Sequence, residues 1–164
     1  RVGLARAMAT DAEILLMDEA FSALDPLIRT DMQDVLLGLQ EELHKTIIFI
    51  THDFGIVARM CDRVAVMYAG KIVEQGTVRE IYNDPKHPYT EALLKSIPRL
   101  GDKGDLFVIP GQPPNLAELP SGCSFHPRCS YAMDKCGTDV PPDVPIGAGR
   151  ISRCWLPAEE VQSG

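Results

Sequence analysis

Positive charge is scarce in this chain. Sixteen Lys and Arg stand against 23 Asp and Glu, a formal net charge of −7. That balance argues against a general binder of nucleic acid or of anionic membranes. Long apolar runs are missing too, and none approaches the roughly 18 residues needed to span a bilayer. No signal-peptide pattern opens the chain. Arg1 to Ala9 (RVGLARAMA) reads as the middle of a helix, and the first residue is Arg rather than Met, so a fragment is expected. There is no internal repeat and no C-x-x-C pair. Also absent is G-x-x-x-x-G-K-[ST], the loop whose backbone N–H groups and Lys cradle nucleotide phosphates.

What is present is an ordinary globular balance, 45% hydrophobic and 24% charged over 164 residues, enough to bury a core. Residues 13 to 18 (EILLMD) form a short apolar run ending on a carboxylate, and 46 to 51 (TIIFIT) form a second. Runs of this kind predict fully buried parallel strands. Between them, Asp25-Pro26 is a helix start. Leu27, Ile28, Met32, Val35, Leu36, Leu39 and Leu43 then give one apolar face. Strand, helix and strand make a βαβ unit, so the fold class is α/β. A short helix is expected over Phe54 to Met60. An antiparallel hairpin follows, Val64 to Ala69 with Ile72 to Thr77. Thr77 and Glu80 have capping-box spacing for a helix holding Ile81 and Tyr82. Another helix covers about Tyr89 to Ser96. From residue 98 Pro, Gly and Cys dominate, which predicts a loop-rich appendage over 98–164 with a linker at Gly101 to Asp105.

The chemistry gathers at the strand ends. A buried strand ending in Asp18-Glu19 puts two acids at the carboxyl edge of a parallel sheet, where ligands bind in open α/β folds. Phosphoryl transfer needs a carboxylate near Mg²⁺ and a group that orients or deprotonates the attacking water, and Asp18 and Glu19 suit those two roles. A strand that simply ends in two solvated acids is the plainer reading of the pair alone. Ser22 to Asp25 (SALD) follow at once, and the second strand ends in Thr51-His52-Asp53.

ILLMDEAFSALD followed by IIFITHD resembles the ATPase subunit of ATP-binding cassette (ABC) transporters, over roughly residues 1–97. Asp18 and Glu19 match the Walker B pair, Ser22 to Asp25 the D-loop and His52 the switch histidine. RVGLARAMA matches the helix after the signature loop, and DRVAVMYAGKIVEQGT the hairpin closing the ATPase domain, a P-loop NTPase fold. The resemblance implies ATP and Mg²⁺ as cofactors. Asp18 would help hold Mg²⁺, Glu19 would polarise the water, His52 would contact the γ-phosphate, and Asp25 would reach across a dimer interface. It also implies a second ATPase subunit, transmembrane permease subunits and an extracytoplasmic substrate-binding protein as partners. The site would lie on the cytoplasmic face of the membrane, peripherally held, with no nucleic acid. The phosphate loop, Gln loop and LSGGQ-type loop do not occur in these 164 residues, so negligible ATPase activity is expected of them alone.

Cys123, Cys129, Cys136 and Cys154 fall in the last part of the chain, with spacers of five, six and seventeen residues. Four thiols in a segment expected to have little core suit a metal or cluster as a staple. Zn²⁺, an iron–sulfur cluster, two disulfides and four unrelated thiols all remain open at this level. His87 and His126, loop residues beside Pro, are expected to be exposed rather than ligands, and Cys61 to be an ordinary buried residue. NDPKHPYTEALLKSIP, PGQPPN and GCSFHPRCSYAMDKC resemble the C-terminal extension of peptide-import ABC ATPases, the oligopeptide, dipeptide and nickel group. That resemblance implies a [4Fe–4S] cluster on the four cysteines. MDEAFSALDPLIR, in contrast, looks more like the betaine and osmolyte importers. The alternative to an energy-coupling ATPase is a non-catalytic metal- or cluster-binding module on a dimerisation scaffold.

Overall fold

The computed structural model describes residues 12–98 and 107–157. The helix expected at 1–9 and the linker at 101–105 lie outside them. The chain packs as two compact units, Arg1–Cys61 and Asp62–Gly164.

In the first unit, β1 (Ile14–Asp18) and β2 (Thr46–Ile50) pair in parallel, from Ile14 opposite Thr46 to Asp18 opposite Ile50. They are joined through α1 (Pro26–Leu43). Asp25 caps α1 by accepting the Leu27 N–H at 3.0 Å, and Pro26 occupies a first-turn position whose N–H has no intrahelical partner. The helix stops at His44, left-handed at φ 49°, whose N–H bonds Gln40 O. Next comes α2 (Phe54–Met60), capped by Asp53 Oδ1, which accepts the Gly55 and Ile56 N–H groups.

Leu15 and Met17 of β1 are buried with Phe21, Leu36 and Ile56, and Met32, Ile47, Phe49 and Met60 pack around them. The other face of the strand pair is open: Ile14, Leu16, Ile48 and Ile50 are 48–67% exposed. The expectation of fully buried strands is corrected accordingly. Side chains alternate across a strand, and α1 and α2 cover one face. The apolar face of α1 is also narrower than its spacing predicts. Leu36 is buried and Met32 half-buried, while Leu27, Ile28 and Val35 are exposed.

The second unit starts with the expected hairpin, β3 (Arg63–Tyr68) against β4 (Lys71–Thr77). Its two turn residues, Ala69 and Gly70, both have positive φ, the backbone twist that two-residue hairpins favour. The capping box opens α3 (Val78–Asn83): Glu80 N–H donates to Thr77 Oγ1, and Thr77 N–H donates to Glu80 Oε2 at 2.7 Å. Helix α4 (Pro88–Lys95) follows, capped by His87.

The tail is less of an appendage than its composition predicts. It holds a 3-10 turn (His126–Arg128), α5 (Asp134–Thr138), β5 (Val144–Gly147) and β6 (Arg150–Ser152). Strand β6 pairs antiparallel with β4, setting Glu74 opposite Ser152, and β5 pairs with β6, so the sheet runs β3-β4-β6-β5. Phe125 is buried with Val66, Tyr68, Val73 and Ile81. The tail thus shares the compact unit Asp62–Gly164 with the hairpin.

Candidate functional site

The acidic strand end and the histidine loop meet. Asp18, the last residue of β1, is exposed. Glu19 then turns to φ 47°, a left-handed conformation that costs a non-glycine residue about 1 kcal/mol. Three bonds hold the turn. Glu19 N–H donates to Ile50 O at 2.9 Å, and Ser22 donates both its N–H (3.1 Å) and its Oγ–H (2.8 Å) to Glu19 O. So oriented, Glu19 Oε1 accepts the backbone N–H of His52 at 3.0 Å. The His52 side chain is exposed. Of the expected residues, Glu19, Ser22 and His52 are thus directly linked. Asp18 adjoins them, and Asp25 serves as the cap of α1, beside the loop.

Sequence reading missed Arg29 and gave Asp53 no role. Arg29 Nη1 lies 3.1 Å from Asp53 Oδ2, and Nη2 donates to the carbonyls of Leu24 (3.4 Å) and Ser22 (3.5 Å). The signal was an Arg one helical turn after Asp25, within reach of the loop that the helix follows.

The four tail cysteines converge as well. Cys123, Cys129, Cys136 and Cys154 line one cavity together with His87, His126 and Trp155. They are thiols, not disulfides. The backbone brings them in: Cys123 N–H donates to Cys136 O at 2.8 Å, and Cys129 N–H donates to His126 O at 3.2 Å. Gly122, at φ 65°, allows the first of these, because a Cβ there would stand 2.4 Å from Cys136 O. Burial raises the thiols of Cys123 and Cys129 and pushes that of Cys154 up to about 11, so these three are protonated at neutral pH.

The donor set is of the type that holds zinc or an iron–sulfur cluster, but the arrangement is not. The cavity is about 20 Å³, room for roughly one water. Among the described residues, no group of three or more His, Cys, Asp or Glu side chains is placed to hold a metal ion. The expected [4Fe–4S] or Zn²⁺ centre is therefore convergent in its residues but not formed in its geometry.

His87 also departs from expectation. It is 1% exposed, not a surface residue, and its Nδ1 accepts the Tyr89 N–H at 3.0 Å. Burial lowers its pKa to about 4, partly offset by a hydrogen bond to the Arg153 backbone. The neutral ring thus uses both nitrogens and offers no lone pair to a metal. His126 is half-buried, its Nδ1 2.8 Å from Cys123 O. Cys61 is half-buried at the end of α2 rather than buried.

Comparison with known proteins points one way. The family model for the oligopeptide/dipeptide transporter C-terminal region matches residues 73–136. The oligopeptide transport ATP-binding protein OppD of Salmonella typhimurium is 43% identical over 162 residues, which is 98% of this chain and 48% of that protein. The oligopeptide transport ATP-binding protein AmiE of Streptococcus pneumoniae is 46% identical over 162 residues, 98% of this chain and 46% of its own length. Among solved structures, cbiO1 of Clostridium perfringens, part of an ABC transporter complex, is 35% identical with a TM-score of 0.47, covering 51% of this chain and 33% of that one. The chain spans about half the length of the curated relatives it matches. Over its length the chain matches the C-terminal portion of oligopeptide ABC transporter ATP-binding proteins, about half of each full-length relative.

Proposed function

We propose that this chain supplies the magnesium- and water-handling part of an ATP-hydrolysing subunit that drives an ABC importer, with peptides as the transported class. The observation that carries the reading is the bond from the His52 backbone to the Glu19 carboxylate, at the carboxyl edge of the parallel pair. Glu19 would orient or deprotonate the attacking water, and His52 would contact the γ-phosphate. Asp18 would hold Mg²⁺, whose charge offsets that on the phosphates. Ser22 and Asp25 lie on the loop that meets the second ATPase subunit. The phosphate loop has to come from outside these 164 residues, since none of them forms G-x-x-x-x-G-K-[ST]. The relatives are named for oligopeptide transport, which favours peptides over osmolytes or nickel. Permease subunits and an extracytoplasmic binding protein complete the assembly, with this subunit peripheral on the cytoplasmic face. Among the described residues, no helix is long and apolar enough to cross a membrane.

The test is hydrolysis by a protein carrying both parts of the site. Glu19→Gln is expected to lower kcat on the order of 10²–10⁴-fold, as loss of a general base does. Undiminished turnover in that variant would remove Glu19 from the chemistry.

The second reading concerns the tail as a regulatory zinc or iron–sulfur module. Its support is the convergence of Cys123, Cys129, Cys136 and Cys154 on one cavity. Anaerobic purification with an absorption spectrum and metal analysis decides it. A brown protein with stoichiometric iron supports a cluster, and a colourless one with stoichiometric zinc supports Zn²⁺. Metal-free protein titrating all five thiols, Cys61 included, ends this reading.

A further inference from the structure

The contacts around the carboxylate half-site close into a ring. Ser22 Oγ donates to Glu19 O, and Glu19 Oε1 accepts from the His52 N–H. Asp53 follows His52 in the chain, Arg29 Nη1 donates to Asp53 Oδ2, and Arg29 Nη2 donates back to Ser22 O. Arg29 is also anchored in α1, its own N–H on Asp25 O at 2.8 Å. Only a planar fork can hold a carboxylate with one nitrogen and two loop carbonyls with the other; an ammonium is a single point. Neither charge is fully exposed, at 28% for Arg29 and 38% for Asp53, so water screens the pair less than a surface pair. Arg29 Nε is buried without an acceptor among the described residues. The guanidinium is therefore placed by Asp53 and the two carbonyls, not by satisfying all its own donors.

We propose that Arg29 is a positioning residue. By holding the Ser22–Asp25 loop and Asp53 in one fork, it fixes Glu19 against His52, so that movement of either loop is carried to the other. This rests on the reading of Glu19 and His52 as groups acting on ATP. The simpler role for Arg29 is to pin α2 onto α1, and the molecule contains a control for that role. Arg59 of α2 donates to Gln33 Oε1 (3.0 Å) and pairs with Asp34 (2.5 Å) on α1, with no hydrogen bond to either loop among the described residues.

The experiment is backbone amide exchange on the full chain, comparing Arg29→Ala, Arg29→Lys, Asp53→Asn and Arg59→Ala. Asp53→Asn keeps a side-chain oxygen to cap α2 and loses the charge. In Arg29→Ala and in Asp53→Asn, exchange at the His52 and Ser22 amides is expected to quicken roughly tenfold, the order set by one charge-assisted hydrogen bond. The double variant should be no worse than either single one. Lys at 29 should restore protection only in part, and Arg59→Ala should leave both amides unchanged. Equal quickening in Arg59→Ala, or none in Arg29→Ala, overturns the proposal. Where hydrolysis is measurable, Arg29→Ala should lower kcat with KM for ATP unchanged; a rise in KM alone counts against positioning. Exchange needs no nucleotide. Unimpaired turnover in Glu19→Gln would sink the catalytic reading while leaving the exchange result to judge the ring.

Discussion

The parallel pair β1–β2 and the antiparallel sheet β3–β4–β6–β5 are both small, and they differ in what lies on them. The parallel pair has helices on one face and four exposed apolar side chains, Ile14, Leu16, Ile48 and Ile50, on the other. Its polar groups sit at one end, where Glu19, His52, Asp53 and Arg29 are half-buried or exposed. The antiparallel sheet carries its polar groups inside. Glu74, 0% exposed at the side chain, accepts the Lys86 and His87 N–H groups at 2.8 and 2.9 Å and faces Arg150 Nη2 at 3.5 Å. Arg150 in turn pairs with Asp84 Oδ2 at 3.1 Å and donates to the Asp84 carbonyl. One region keeps its polar groups where a ligand can reach them. The other uses them to join β4, the segment before α4 and β6. Their variants should fail differently: local order at the strand ends lost in the first, folding lost in the second.

The largest effect is expected from Glu74→Ala. It leaves Arg150 buried without its carboxylate and two backbone N–H groups without an acceptor, a loss of about 3–5 kcal/mol. Urea unfolding followed by fluorescence of Trp155, the only tryptophan, reads it directly. A loss under about 1 kcal/mol would mean that the internal polar groups are not what sets this region apart.

His87 gives the next largest effect, and it depends on pH. Its pKa falls from 6.5 to about 4 on burial, so the folded form stays neutral where the unfolded chain takes up a proton. The unfolded state binds more protons between those two values, and stability must fall as pH drops through that window. The two-and-a-half-unit gap is worth about 3 kcal/mol, fully present above the unfolded value and gone below about pH 4. Melting of the native chain and of His87→Gln at pH 7.5 and pH 4.5 checks this. The native protein should lose more on acidification, and parallel losses would show that His87 is not the titrating group.

How much of this was legible in the sequence follows from the range of the interactions. The Asp25-Pro26 start, the Thr77–Glu80 capping box and the hairpin turn are local, and each is found within a residue of its expected place. Strands β5 and β6 were not legible. They are four and three residues long, carry Pro145, Gly147 and Gly149 in or between them, and exist because β4 supplies a partner some 75 residues away. The buried His87 escaped for the same reason: Glu74 holds its backbone from a strand 13 residues earlier. At the half-site, residue types and order gave Asp18, Glu19 and His52, but Arg29 shows its role only once the helix start brings it against Asp53. For the cysteines, spacing gave the set, while burial of three thiols decided their protonation.

The smallest effect tests the open face of the parallel pair. Leu16 and Ile48 are 67% and 48% exposed, so replacing them by Gln and Thr removes little buried area. Each change is expected to move the stability of the chain by less than about 0.5 kcal/mol. Thr keeps the β-branched shape that suits a strand, and Gln at an exposed position loses only a modest strand preference. The same changes should raise solubility, because a contiguous apolar face invites association. Denaturation midpoints and light scattering of Leu16→Gln with Ile48→Thr read both quantities at once. A loss of about 2 kcal/mol or more, the cost of truncating a packed core side chain, would show that this face is covered in solution and that the contrast between the two sheets is smaller than their exposures indicate.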